Sequence, residues 1–445
     1  MENTRSFFDR NRILIKGFLI AFLILLMLIP AVFIAHLVQE RKARQEQVVE
    51  EVSSKWASSQ TISGPVLMVP YTYSYKGTDG KDLTSRKILH LLPEHLRISG
   101  SVSPEVRKRS LYQVMLYRTA LQLEGDFAPA RLSALGIDPQ TVSWGEARLL
   151  MGVTDARGLE DEVHLQWPGG IKKLEAGMPE NGALNDGLSV PVGFDPASGA
   201  AFSLSLKLRG SSSLSFTPVG NTTEVSIQST WKHPSFDGKY LPDTSADIST
   251  NGFTAHWKIL ASSRTFPQAW TDNKVDIPSS AFGVKLIQPA DGYAKTERSV
   301  KYAILFIALT FIIFFFLEIL QKHQIHPLQY LLVGFALSIF YTLLLSISEY
   351  IGFNPAYAIA VSATVTLIGL YVWSVFRSGK TALGFSTALG GLYGYIYILI
   401  QLEDYALLFG SVGLFVILAI LMYFSRKIDW YGKGNAPAGS AHTDQ

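Results

Sequence analysis

Three side chains in one short stretch offer chemistry: the carboxylate of Glu318 and the imidazoles of His323 and His326. A carboxylate beside two imidazoles can hold a divalent metal. The histidines stand three apart, a spacing that puts two ligands on one helical face. Pro327, however, follows His326 at once and confines it to extended or turn geometry. No HExxH pattern is present, and Glu318 is the one further ligand nearby. The pair therefore reads as caps of a turn. Glu318 lies two residues from the end of an apolar run, where a carboxylate reaches the membrane interface; deeper in a span it would be a functional candidate by default. Gln329 and Tyr330 follow in the same HPLQY segment, and Glu349 closes the next apolar run.

Elsewhere the chemistry is sparse. His90, His95, His164, His233 and His256 are scattered without ligand spacing, and no GxSxG, SxxK or P-loop pattern occurs. The absence of cysteine removes disulfides, thiolate metal sites and cysteine nucleophiles together. Trp231, His233 and Phe236 form an aromatic cluster beside two prolines, a composition typical of core and turn. The net charge of +3 is too small to argue for nucleic acid, and no Lys/Arg cluster is interleaved with aromatics. These patterns predict no cofactor, no metal, no nucleic-acid partner and no enzymatic activity.

The elements that position these residues are membrane helices. Residues 300–320 and 328–347 are two apolar runs around the polar turn QKHQIHP. About 21 residues span roughly 31 Å as a helix, which matches a hydrocarbon core of roughly 30 Å. Further spans are predicted at 13–38, 356–376, 382–402 and 405–424, with a 1–12 N-terminus and a 425–445 tail. The apolar core of the first run exceeds a signal-peptide h-region and ends without an A-x-A site, so it reads as an uncleaved span, with a kink tolerated at Pro30. Residues 39–56, free of Gly and Pro, continue it as a polar helical stalk. Along the third span Gly334, Ser338, Thr342 and Ser346 repeat every four residues, and Gly390 and Gly394 make a GxxxG in the fifth; both read as helix-packing surfaces.

Residues 39–299 have soluble composition, in contrast to a whole-chain mean hydropathy of +0.21. Short β-branched and aromatic segments alternate with Gly, Pro, Asn and Asp. In FSLSLKL, Phe202, Leu204, Leu206 and Leu208 keep a period of two, which predicts a mostly antiparallel β domain with solvated strand faces. The Gly/Pro/Asn-rich stretch 167–199 leaves open whether it has one lobe or two. The fold class is thus a six-span helical bundle, one helix N-terminal and five C-terminal, around a large inserted β domain.

Charge orients the chain. Lys322, Arg377, Lys380, Arg426, Lys427 and Lys433 fall in one set of short loops, while Glu349, Glu403 and Asp404 fall in the alternate set. The positive-inside rule makes the basic loops cytoplasmic. Six spans then put both termini in the cytoplasm and the β domain in the periplasm. Lys295, Arg298 and Lys301 count against this assignment, although a long domain translocates largely regardless of charge.

The segments GPVLMVPY, LPEHLRISG, WKHPSFDGKYLP, HPLQYLLVGFALSIFYTLLLSISEYIGFNPAY and EDYALLFGSVGLF resemble the CreD-type inner-membrane proteins, also called cell envelope integrity proteins. The resemblance runs over nearly the whole chain. It implies a multi-pass protein of the cell inner membrane, produced under a sensor-kinase/response-regulator pair and linked to envelope integrity, colicin tolerance and altered β-lactam response. It carries over no catalytic residue. The expected partners are the lipid bilayer and an envelope protein or glycan in the periplasm, with the oligomeric state open. Three readings follow: an envelope-support protein presenting its β domain; a transporter or channel for an envelope-active compound, with Glu318, the histidine pair and Glu349 along the path; and, with least support, a membrane enzyme. Spans without a charged residue at their centres weigh against an ion-coupled carrier.

Overall fold

The computed structural model describes residues 12–426, apart from 77–78, 80–81, 131, 133–134, 181, 244–246, 272–274, 287–291, 322 and 403–404. Lys322, Glu403, Asp404, Lys427, Lys433 and most of both expected terminal segments lie outside the described residues. The chain divides into two compact units, Met1–Arg44 with Ala290–Gln445, and Gln45–Pro289.

The first unit is helical, with α1 (Arg12–Leu26), the part of α2 (Leu28–Trp56) up to Arg44, α3 (Gly292–Lys301), α4 (Ala303–Leu320), α5 (Pro327–Ile351), α6 (Phe353–Phe376), α7 (Gly379–Gln401) and α8 (Ala406–Ser425). Among the described residues six helical stretches are long and apolar enough to cross a membrane, α1 and α2 together forming the first. The break between α1 and α2 falls at Met27, three residues before Pro30. The proline ring crowds the carbonyl four residues back and removes one ladder hydrogen bond, so the helix yields there. The last bond before the break, from Met27 N to Leu23 O, is intact at 3.0 Å. Beyond it α2 runs unbroken to Trp56, so the polar residues 39–56 are helical. Gly352 alone joins α5 to α6; its φ of +84° is open to glycine and strained for other residues.

A second break has no proline. Residue Tyr302 separates α3 from α4, closing a 3₁₀-type bond from its N–H to Ser299 O at 3.1 Å. The helix α3 was not apparent in the sequence. It is amphipathic, burying Tyr293, Thr296, Ser299 and Val300. It also carries Lys295, Arg298 and Lys301, the three cations that ran against the charge rule.

The second unit is built from two sheets. One has the strand order Asp247–Ser249, Gly252–Leu260, Thr222–Ser229, His95–Arg109, Tyr112–Phe127, Ala200–Ser211, His164–Trp167 and Gly170–Lys173. The other is centred on the strand Gln60–Lys76, which pairs with Asp82–Leu91 and Arg148–Val153 antiparallel and with Ser213–Phe216 parallel. The described pairings are antiparallel except that last one and His95–Arg109 with Thr222–Ser229. Phe202, Leu204, Leu206 and Leu208 are all buried while Ala201, Ser205 and Lys207 are exposed, the alternation expected of a strand with one wet face. Gln60–Lys76 differs: residues 62–71 are buried without alternation. Its register shifts between Ser63 and Val66, where Gly64 takes a φ of +112° and Pro65 cannot donate.

The two sheets share one contiguous apolar core. Trp257 of the first sheet meets Phe282 and Phe236 of the second at ring-centroid distances of 5.6 Å and 5.8 Å. Residues 167–199 therefore do not divide two lobes. Gly170–Lys173 closes the edge of one sheet, and Glu175–Ala176 and Gly187–Pro191 belong to the other, so the stretch carries the chain between them. Phe236 is part of this core, and Trp231 donates from Nε1 to His233 O at 3.0 Å in the preceding turn.

Residues 45–56, the last turns of α2, belong to the second unit and pack against its strands. The Trp56 ring has the guanidinium carbons of Arg107, Arg209 and Arg118 at 4.1 Å, 4.8 Å and 5.6 Å, a cation–π arrangement. Glu160 lies 3.3 Å from Arg118 and 3.7 Å from Arg209, offsetting their mutual repulsion. Arg157 donates to Ser54 O at 2.7 Å, satisfying one of the helix's orphan carbonyls. The same arginine grips the buried carboxylate of Asp155, which also accepts from Ser58 N at 3.0 Å. The Arg157 guanidinium and the Ser58 amide hold the Asp155 carboxyl well below the usual carboxylate range. A depressed folded-state pKa adds stability above the unfolded value of about 4 and loses it as the pH falls through the folded one. Asp155→Asn is expected to lower the unfolding temperature of the β unit at pH 7. The gap to wild type should narrow progressively below about pH 4, as followed by limited proteolysis of the full chain during heating; a gap independent of pH would refute the assignment.

Candidate functional site

Glu318 is buried, at 6% exposure, and both of its oxygens are used. Oε1 accepts from the Lys16 ammonium and from Ile325 N at 3.0 Å. Oε2 accepts from the Tyr330 phenol at 2.8 Å. Lys16 in turn donates to Ile325 O at 2.8 Å. A carboxylate removed from water requires donors for its lone pairs and an opposite charge, and this cluster supplies both. It ties α1, α4 and α5 together at one end of the bundle. Lys16 stands in the apolar run 13–38, and its partner is 302 positions away.

His326 does not join Glu318. It caps α5: Nδ1 accepts from Leu328 N at 3.3 Å, and Gln329 Oε1 accepts from His326 N at 3.1 Å. This is a capping box with Pro327 at the first helical position, where the missing N–H costs nothing. His323 packs against the Phe376 ring at 5.5 Å. The two imidazoles thus serve separate ends of the turn, and no group of three or more potential metal ligands occurs among the described residues.

Glu349 marks a second polar cluster at the opposite end of α5. It accepts from the Tyr293 phenol at 2.9 Å and has Arg41 Nε at 4.0 Å. Beside it Lys295 donates to Gln401 Oε1 at 2.8 Å, and Gln401 donates to Asn354 at 2.8 Å. The helix α3 thereby crosses the ends of α5, α6 and α7. The first span is held at both ends, by Lys16 and by Arg41.

Between these clusters the bundle is aromatic. Phe340 meets Tyr393 at 4.7 Å, Tyr341 at 4.9 Å and Tyr357 at 5.6 Å, and Phe306 meets Tyr393 at 4.1 Å. Tyr357 donates to Tyr393 O at 2.8 Å. The phenols of Tyr341 and Tyr393 are buried with no hydrogen-bond partner among the described residues. No charged residue marks this group in the sequence.

The small-residue repeat is used in part. Gly334 and Ser338 are buried, whereas Thr342 and Ser346 are exposed. A four-residue repeat advances about 400° per step and so drifts roughly 40° around an ideal helix; after two steps it has left the interface. A Cβ at Gly334 would lie 2.7 Å from Met27 Sδ and 3.0 Å from Phe311, so the α1–α2 break sits on this glycine. The GxxxG of the fifth span does not act as expected. Among the described residues a Cβ at Gly390 or Gly394 meets nothing within 4 Å, so none of the described helices approaches closely there.

One apolar helical hairpin after another, preceded by a single span and interrupted by one large β insertion, defines a polytopic membrane protein. The profile of a family described as Inner membrane protein CreD matches residues 12–431. Inner membrane protein CreD of Escherichia coli (strain K12) is 34% identical over 416 residues, which cover 92% of this chain and 91% of the relative. The chain belongs to the CreD family of inner-membrane proteins.

Removing one partner of a buried ion pair leaves the other uncompensated, whereas removing both is far milder. Lys16→Met and Glu318→Gln should each destabilise the purified protein in detergent by up to about 3 kcal/mol, at the low end for Lys16, which is a fifth exposed. The double variant should recover much of the loss in thermal unfolding. Strictly additive losses would show that the pair does not couple.

Proposed function

We propose that this protein is a non-enzymatic envelope-support protein whose helical bundle anchors a periplasmic β domain that engages an envelope partner, protein or glycan. The observation that carries this reading is the self-satisfied polar chemistry of the bundle. Glu318 has its donors in Lys16, Ile325 and Tyr330, and Glu349 has Tyr293 and Arg41. Groups that saturate one another in this way fasten helices; a conduit needs sites that exchange partners with a substrate. The family resemblance points the same way, toward envelope integrity, colicin tolerance and β-lactam response. In this reading Gln329, His326 and His323 shape the turn, and Gly334 and Ser338 are packing positions. Replacing residues 60–289 by a short linker should leave the spans inserted and abolish colicin tolerance in cells lacking the native protein. Unchanged tolerance would remove the β domain from the function. Flux of an envelope-active compound in vesicles that vanished in Glu318→Gln would favour the transporter reading instead.

The orientation belongs to the same proposal: basic short loops and both termini in the cytoplasm, the β domain in the periplasm. Arg377, Lys380 and Arg426 on one side, against Glu349 on the other, support it. Because the chain has no cysteine, single substitutions report topology directly. With the outer membrane permeabilised, Ser235→Cys should react with a membrane-impermeant maleimide in intact cells and Ser378→Cys only after lysis. The reverse pattern would invert the assignment.

A further inference from the structure

The strand Gln60–Lys76 outruns its sheet. Its neighbour Arg148–Val153 ends opposite Met68, and burial ends at Tyr71. From Thr72 to Lys76 its one partner strand among the described residues is Asp82–Leu91. The arms Thr72–Lys76 and Asp82–Lys87 thus form a two-stranded ribbon, largely exposed on both faces. Cross-strand pairs share a face, and the register sets Tyr71 opposite Lys87, Tyr73 opposite Ser85 and Tyr75 opposite Leu83. Tyr73 and Tyr75 are each 44% exposed and Leu83 is 43% exposed. The two phenol rings lie nearly parallel, 6.1 Å apart at 16°. The Lys87 ammonium stands 4.1 Å from the centre of the Tyr73 ring. Over about 13 Å, four residues of strand, this strip passes from apolar at Tyr75 and Leu83 to cationic at Lys87. Lys87 is the one charged residue among these cross-strand positions. Arg86 and Asp82 lie on the other face, opposite Thr72 and Lys76, and Arg86 pairs with Glu146.

We propose that this tyrosine strip binds an acidic glycan strand, the chemistry of a cell-wall polymer. The assignment deepens the envelope-partner reading above and rests on it. A sugar ring has a face of C–H groups that packs against aromatic rings, and its rim hydroxyls can hydrogen-bond the phenols. Lys87 offers three donors to a carboxylate on the same strand. The rings alone would take a neutral sugar; the ammonium beside them selects an acidic one. Size decides against a protein partner. A stable protein interface takes about 20–30 residues a side, whereas the two arms have five and six residues. A short run of sugars needs only the strip. Charge decides against an added β-strand. Lys76, Asp82, Arg86 and Lys87 crowd the ribbon, and charged side chains are a device by which exposed edges refuse pairing.

The test sediments the full chain, purified in mild detergent, with protein-free peptidoglycan sacculi. Wild type should co-sediment, and glycan strands freed of their peptides should compete. Tyr73→Ala with Tyr75→Ala should weaken binding by at least about tenfold. Tyr73→Phe with Tyr75→Phe, which keeps both rings, should retain most of it. Lys87→Gln should weaken binding and remove its dependence on salt. Thr84→Ala, on the opposite face of the same ribbon, should bind as wild type. No co-sedimentation of wild type, or binding untouched by the double alanine substitution, would overturn the proposal. So would competition by free stem peptides in place of the glycan. Binding to crude envelope but not to protein-free sacculi would mark a protein partner and overturn it equally. None of these failures touches the linker replacement of residues 60–289, which tests the envelope-support reading by itself, so the two fail separately.

Discussion

The helical unit depends on fastening a single N-terminal span to five spans that follow some 250 residues later. Lipid tails are as apolar as the helix surface, so no hydrophobic force draws the first span to its partners. Two polar contacts do this work from opposite ends. Lys16 closes on Glu318 and Ile325 O, and Arg41 approaches Glu349. The 25-residue interval between them is roughly 37 Å of helix, about a hydrocarbon core with its nearer interfacial margins. Between the two, Met27 fills the gap over Gly334. The Pro30 break therefore sits at a contact, where it turns the helix onto its neighbour.

The β unit follows different physics. It lies between two halves of the helical unit in sequence, lacks disulfides, and holds together by one core common to both sheets. The strand Gln60–Lys76 begins four residues after Trp56 and enters the middle of its sheet at once. The α2 terminus is pinned beside it by the Trp56 arginines and by the Asp155–Arg157 pair. Stalk helix and first strand are thus braced by the same few residues.

What could be read from the sequence was what has a local cause. Membrane thickness demands about 20 apolar residues per helix, and six such runs stand out. The pleat demands alternation, and Phe202 to Leu208 show it. Pro327 alone confines His326 to the extended geometry it takes at the start of α5, whereas His323, read with it as a capping pair, lies against Phe376 instead. What escaped has causes that are distant in the chain or depend on angle. No local rule joins Lys16 to Glu318. The repeat from Gly334 to Ser346 looked continuous because it was counted in residues, while burial follows degrees of rotation. Gly390 and Gly394 had the spacing of a contact, but no described atom lies within 4 Å of where their Cβ would be. The helix α3 was hidden because its polar residues merged with the end of the soluble insertion.

The polar residues of the spans also weigh between a fastening and a path. A carboxylate on a transport route must be released by its partners in one state of the cycle. Glu318 is held by three donors, one on α1, one on the turn before α5 and one on α5 itself. Freeing it would part α1 from α4 and unseat the turn before α5 together. That is a large, coupled rearrangement for one side chain, and the penalty for a buried carboxylate left alone opposes it. Tyr330 strengthens the point: its ring is wedged between Phe311 and Phe314 at 5.6 Å and 5.0 Å, so its phenol cannot swing away without opening the aromatic core. The arrangement is that of a lock on helix positions.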